Sequence, residues 1–201
     1  YNPQHLLGSD CWESRDSGLS DFGRHAIDEM NHLGILIDLS HVGPVTSAEA
    51  IAHSKKPVAY THCCPMLKDH ARNKTDAQLR AVADRGGFVG FASYTPFLPK
   101  GDDTTIDDCV AAMDYLINLV GEESVGIGTD WVQDQDIAFY DYLTLDKGTG
   151  RPTTPPFKAV PPMPKGLESM GDFCNFIPAM ERAGWQEARI RRVLGENWLR
   201  F

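Results

Sequence analysis

The chain has 201 residues, and 19 Lys+Arg against 28 Asp+Glu leave a formal net charge of −9 with the histidines neutral. A generic nucleic-acid or anionic-membrane binder needs a basic surface, so both partner classes are excluded. At 42% hydrophobic and 23% charged, the composition suits a soluble globular protein with a core. No apolar run approaches the roughly 18 to 20 residues that span a bilayer.

The opening residues Tyr1-Asn2-Pro3-Gln4-His5 lack a basic n-region, an apolar h-region and an initiator methionine. The chain is therefore expected to start inside a longer protein or after processing. Cys11, Cys63, Cys64, Cys109 and Cys174 form an odd set without CxxC spacing, which reads as buried thiols in a reducing, cytoplasmic compartment rather than a disulfide framework.

In chain order, Phe22, Ala26, Met30 and Leu33 keep helical spacing behind a Ser20 cap, and they feed an apolar run, residues 34–41, read as a buried strand ending in His41. A helix around Val45 to Ile51 precedes a second strand, residues 57–62, ending in His62. Leu79, Val82 and Ala83 mark a helix that enters a third strand, residues 87–93. Ile106, Val110, Met113, Ile117 and Val120 give a further amphipathic helix behind Thr104 and Thr105, followed by a strand over 124–130. Four alternations with near-continuous apolar strands predict an α/β fold whose parallel sheet is covered by helices. Residues 133–165 break the rhythm, six of the thirteen prolines falling between Arg151 and Pro164, and read as a lid or partner-facing loop. Helical spacing resumes at Met170, Phe173, Ile177 and Met180 and again from Gln186 to Leu199.

His41, His62 and Asp130 each stand at the end of a predicted strand, where the loops of parallel α/β sheets and barrels converge on sites. Imidazoles suit zinc, and a carboxylate there either ligates metal or moves protons, so the set points to metal-assisted hydrolysis. Arg72, in the loop after the second strand, offers a planar fork for a substrate carboxylate or a salt bridge to a loop acid. His70 in the same loop is a secondary candidate, Asp38 is read as structural, and His5, His25, His32 and His53 have weaker cases.

Gly18-Leu19-Ser20-Asp21-Phe22-Gly23, Ile37-Asp38-Leu39-Ser40-His41, Thr61-His62, Ala71-Arg72-Asn73, Val125-Gly126-Ile127-Gly128-Thr129-Asp130 and Gly195-Glu196-Asn197-Trp198-Leu199-Arg200 occur in the order seen in the membrane (renal) dipeptidase family. With Tyr1-Asn2 and Leu6-Leu7-Gly8, the chain resembles its bacterial branch across nearly its whole length. The resemblance implies an amidohydrolase-like (β/α)8 barrel with two zinc ions at its C-terminal rim that cleaves dipeptides. His41 and His62 would be zinc ligands, Asp130 the acid/base that protonates the leaving amine, and Arg72 the holder of the substrate carboxylate. Tyr94 falls where the family also has a tyrosine.

The family's first-strand histidine and aspartate and its metal-bridging glutamate have no counterpart here, and Tyr1 or Asn2 stands where renal relatives carry a carbonyl-polarising histidine. A closed barrel of this type needs eight strands and about 250 residues. The chain is accordingly expected to form residues 1–201 of a single partial domain, the C-terminal half of a barrel. It would need its missing half, another chain or self-association to cover its open edges. The alternatives are another barrel hydrolase acting on a lactone, cyclic amide or ester, and a non-catalytic binding fragment.

Overall fold

The computed structural model describes residues 5–145 and 157–201. Its helices and strands, in chain order, are α1 (Asp21–Leu33), α2 (Pro44–His53), β1 (Ala59–Cys63), α3 (Asp76–Ala83), β2 (Phe88–Phe91), α4 (Ile106–Val120), β3 (Val125–Ile127), α5 (Ile137–Thr144), α6 (Phe176–Arg182), α7 (Glu187–Arg191) and α8 (Asn197–Arg200). They fall into two compact units, Tyr1–Lys56 with Val132–Pro161, and Pro57–Trp131 with Pro162–Phe201.

In the first unit, the Ser20 hydroxyl caps α1 by accepting the Gly23 N–H at 2.9 Å, and Gly34, at φ 72°, closes it in the left-handed conformation. The buried face of α1 is Gly23, Ile27 and Asn31, whereas Phe22 and Leu33 of the predicted face are exposed. Asn31 tolerates burial because its amide is fully engaged. Its Nδ2 donates to the Ile27 carbonyl and the Ser54 hydroxyl, and its Oδ1 accepts the Lys55 and Lys56 N–H groups.

The strand expected over residues 34–41 does not form. Ile35 and Leu36 are 52% and 41% exposed, and the Asp38 carboxylate accepts both the N–H and the hydroxyl of Ser40, a local turn that competes with strand pairing. Isolated bridging replaces the ladder: Asp10 pairs with Val42, and Cys11 N–H donates to the His41 carbonyl at 2.8 Å. Pro44 opens α2 at a position where the missing N–H costs nothing. The Asp16 carboxylate takes the Val45 and Thr46 N–H groups and the Thr46 hydroxyl. Burial pushes the Asp16 carboxyl up, but those bonds and one from Gly18 N–H outweigh it and leave it below its ordinary value. Within the predicted loop 133–165, residues Ile137–Thr144 form a helix capped by Asp136, whose carboxylate accepts the Phe139 N–H. Residues 146–156 of that loop lie outside the described residues.

The second unit is built on a parallel sheet of order β1-β2-β3. Among the described residues three strands stand where four were predicted, the first having been replaced by the turns before α2. Helix α3 starts with a capping box between Thr75 and Gln78, and α4 with one between Thr105 and Asp108. Thr104, the other cap candidate, is buried and donates its hydroxyl to the Gly101 carbonyl. The apolar stripe of α4, with Ile106, Val110, Met113 and Ile117, is buried as its period requires. The run from Met170 divides into a tight turn, Met170–Asn175, and α6. The final run divides into α7, one wider turn over Arg192–Glu196, and α8.

Candidate active site

The ladder between β1 and β2 pairs Ala59 with Phe88, Tyr60 with Val89 and then Cys63 with Phe91. Three steps on β1 face two on β2, so one extra residue is accommodated across Thr61 and His62. Such a bulge bends a strand and re-aims the side chain it carries. The neighbouring strands make room through glycine: a Cβ at Gly90 or at Gly128 would overlap the Thr61 carbonyl oxygen. His62 lies within β1 rather than after it, with its Nδ1 at 2.8 Å from the Thr61 hydroxyl oxygen.

Arg72 lies in a loop clasped by backbone bonds, Lys74 N–H to the Cys64 carbonyl and Met66 N–H to the Lys74 carbonyl, each 2.9 Å. Asn73 is buried and its Nδ2 donates to the Lys68 carbonyl at 2.9 Å and to the Phe97 carbonyl at 2.8 Å. This ties the loop to the segment Thr95–Phe97, and the Phe97 ring lies under the Arg72 guanidinium at 5.3 Å. The Arg72 side chain is only 3% exposed, and its Nη2 donates to the His62 carbonyl at 3.4 Å. The His70 ring also packs against Phe97, tilted by 48° with 4.9 Å between centroids, and its Nδ1 accepts the Arg72 N–H. Burial, with Lys68 and Arg72 beside it, lowers His70 from 6.5 to about 4, so the ring is a neutral acceptor at neutral pH.

Asp130 follows β3 by three residues and has φ 60°, the left-handed region that asparagine and aspartate enter more readily than other side chains. A non-glycine residue held there marks a backbone kept in place by its surroundings. Its Oδ1 is 3.8 Å from His62 Nε2 and its Oδ2 4.0 Å from Arg72 Nη2. Neither separation is a hydrogen bond. The arrangement therefore sets a carboxylate between an imidazole and a buried guanidinium, three of the four site residues predicted from the sequence. His41, the fourth, belongs to the other unit, at the turn before α2.

The donor types suit zinc, since imidazole nitrogen and carboxylate oxygen are both ordinary ligands, and zinc sites take three or four of them from the protein. Among the described residues, however, no three His, Cys, Asp or Glu side chains are grouped as a metal site. The second unit brings one imidazole and one carboxylate together, short of a complete set. No helix of the described residues is long and apolar enough to cross a membrane.

Sequence reasoning missed the bulge at Thr61–His62, the Phe97 floor under Arg72 and the Asn73 tie. The glycines at 90 and 128, inside otherwise apolar strands, were the available signal for the first. Nothing local pointed to Phe97.

The chain is similar to several known proteins. An uncharacterised dipeptidase of Schizosaccharomyces pombe is 32% identical over 189 residues, covering 92% of this chain and 39% of its own length. The crystal structure of an amidohydrolase from Pseudomonas aeruginosa is similar to all of the chain with a TM-score of 0.94 and 49% identity, 61% of that chain being covered. A metallopeptidase from Rhodobacter sphaeroides, solved with a phosphinate mimic of the dipeptide L-Ala-D-Ala, matches 90% of this chain and 45% of its own at TM-score 0.71 and 26% identity. The chain thus spans between about two fifths and three fifths of the length of these relatives. The family description that matches residues 7–143 is that of the membrane dipeptidases, and the chain belongs to that family, peptidase family M19.

Proposed function

We propose that the complete enzyme carrying this chain is a zinc-dependent dipeptidase. The observation that supports this reading most is the grouping of Arg72, Asp130 and His62 at one end of the sheet, with the Asp130 carboxylate 3.8 Å from the His62 imidazole and 4.0 Å from the Arg72 guanidinium. In this reading His41 and His62 are the imidazoles the chain contributes to a site of two zinc ions. The Thr61 hydroxyl at His62 Nδ1 sets that ring's orientation, and Nε2 is the nitrogen assigned to the metal in this reading. Bound zinc supplies a water nucleophile at neutral pH.

Arg72 holds the free carboxylate of the dipeptide. Its guanidinium is buried on Phe97, so the charge is poorly hydrated and the planar fork is pre-oriented for bidentate binding. Asp130 carries the proton to the amine that leaves when the peptide C–N bond breaks. The substrate carboxylate bound at Arg72 would bring the scissile bond beside Asp130, which matches the short span between the two side chains. Two imidazoles do not complete a binuclear site, so the remaining ligands are proposed to come from polypeptide beyond the described residues, a second half-barrel or another chain.

The test is hydrolysis by the complete, metal-loaded enzyme of a dipeptide, the same dipeptide with its C-terminal carboxylate amidated, and a simple lactone. The expected result is turnover of the free dipeptide, a strongly raised KM for the amide and no lactone hydrolysis, with about two zinc ions bound. Equal kcat/KM on the lactone would move the assignment to another barrel hydrolase. The shortage of donors favours a second reading for the isolated 201-residue chain, ligand binding without turnover, and metal analysis of that chain separates the two.

A further inference from the structure

The segment Gly195 to Arg200 takes no part in the chemistry above, yet it is bound to the strand that leads to Asp130. Strand β3 pairs with β2 on one side, and among the described residues no strand lies on its other side. There Asn197, buried at the start of α8, donates from Nδ2 to the Glu122 carbonyl at 2.6 Å and to the Val125 carbonyl at 2.7 Å. Trp198 donates from Nε1 to the Ile127 carbonyl at 2.9 Å. Two consecutive side chains thus satisfy the alternate carbonyls that a parallel strand directs away from its single partner. The indole also packs on Phe88 of β2, 4.1 Å between ring centroids, and a Cβ at Gly126 would crowd Phe88 and lie 3.2 Å from Trp198 Cδ1. The wider turn over Arg192–Glu196 immediately precedes this pair, and a turn of that kind rotates the residues after it relative to a regular helix.

We propose that Asn197 and Trp198 are positioning residues for Asp130, acting through β3. The strand has only three residues, and Asp130 lies three residues beyond Ile127 in a left-handed conformation that its own propensity does not hold firmly. Gly128 N–H to the Phe91 carbonyl, 2.9 Å, secures the inner side of this run, and the Trp198 bond to Ile127 secures the outer side. With both sides held, the carboxylate stays between His62 and Arg72. Without the outer one, the segment from Ile127 to Asp130 gains freedom at the point where a displacement of about 1 Å is enough to lower turnover by orders of magnitude. The proposal rests on the acid/base role given to Asp130, and its test is chosen so that the two fail separately.

The experiment uses the complete, metal-loaded enzyme and the variant Trp198→Phe, which keeps a ring on Phe88 and removes the indole donor. Leu199→Ala, in the same segment but 90% exposed, is the control. Hydrogen–deuterium exchange of the peptide covering residues 127–131 is read together with kcat and KM. The expected result is faster exchange at 127–131 and a kcat lower by about tenfold or more, with KM within about twofold, in Trp198→Phe alone. Unchanged exchange in that variant overturns the proposal, as does faster exchange with unchanged kcat. If Trp198→Phe does not fold, the indole N–H of the wild-type enzyme is observed by NMR, where strong protection supports the bond to Ile127 and exchange at the rate of an exposed indole overturns it. An Asp130→Asn enzyme of normal kcat would overturn the role given to Asp130, while the exchange measurement would still judge the clamp on β3.

Discussion

The Thr61 carbonyl oxygen occupies the space in which a side chain at Gly128 would begin. Through that relationship β1 carries its extra residue and presents His62 to Asp130, because the carbonyl displaced by the bulge has somewhere to go only if the neighbouring residues lack a Cβ. Gly90 makes the same allowance from β2. Gly128→Ala is therefore expected to destabilise the fold by about 1 to 3 kcal/mol or more, since the obstacle is backbone and not the end of a flexible side chain. Urea unfolding with an unchanged m value is the measurement, and a midpoint equal to wild type would refute the account.

At Asp130 stability and function pull apart. Replacement by glycine removes the cost of a left-handed side-chain residue, a term of about 1 kcal/mol or more, and is expected to raise Tm or leave it unchanged while turnover is lost. Replacement by asparagine keeps the shape, and kcat is expected to fall by about 10²- to 10⁴-fold with metal content retained. If Asp130→Asn instead strips the metal, the carboxylate is a ligand first.

Arg72→Lys is expected to raise KM for a dipeptide by tenfold or more, on the order of 1.4 kcal/mol, with a smaller effect on kcat. A lysine ammonium is a point charge that does not reproduce a two-toothed contact. Steady-state kinetics on the complete enzyme settle this, and an unmoved KM would remove carboxylate binding from the duties of Arg72.

His70 is expected to make stability fall in acid. The unfolded chain takes up a proton as the pH falls through 6.5, whereas the folded ring, disfavoured in its charged form first by burial and then by Lys68 and Arg72, resists protonation until about 4. Between those values the unfolded state binds more protons, so the stability associated with neutral His70 is present in full above 6.5 and is lost as the pH falls toward 4. His70→Gln, which does not titrate, is expected to flatten the dependence of the unfolding free energy on pH across that window. An identical pH profile for variant and wild type would show that His70 is not the group responsible.

The isolated chain is expected to bind zinc weakly and to leave dipeptides intact, because the described residues offer too few donors for a binuclear site. Metal analysis after dialysis, beside a hydrolysis assay, decides it. About two zinc ions retained together with full turnover would be incompatible with this picture.

How much of this could be read beforehand differs from element to element. The caps of α1 and α4 and the buried stripe of α4 were legible because each depends on residues three or four apart, a range over which the chain is its own environment. The short apolar runs that became β1 and β3 were legible as well, although His62 lies within β1 rather than after it and Asp130 three residues beyond β3. The run over 34–41 misled for the same reason: Ile35, Leu36 and Ile37 carry the composition of a buried strand, but a strand also needs a neighbour, and the Asp38–Ser40 turn took the backbone instead. Helix α5 was hidden in a loop whose prolines lie further along, and the burial of Asn31 in place of Phe22 depended on which groups from Ser54 to Lys56 came within reach. Order, caps and chemistry-bearing residue types were thus determined by the sequence itself, through short-range sterics and hydrogen bonding. The bulge at His62, the Phe97 floor under Arg72 and the hold of Trp198 on β3 were decided only in the tertiary structure, because each is a meeting of segments between 25 and 71 residues apart, and no local rule states which distant backbone will have room.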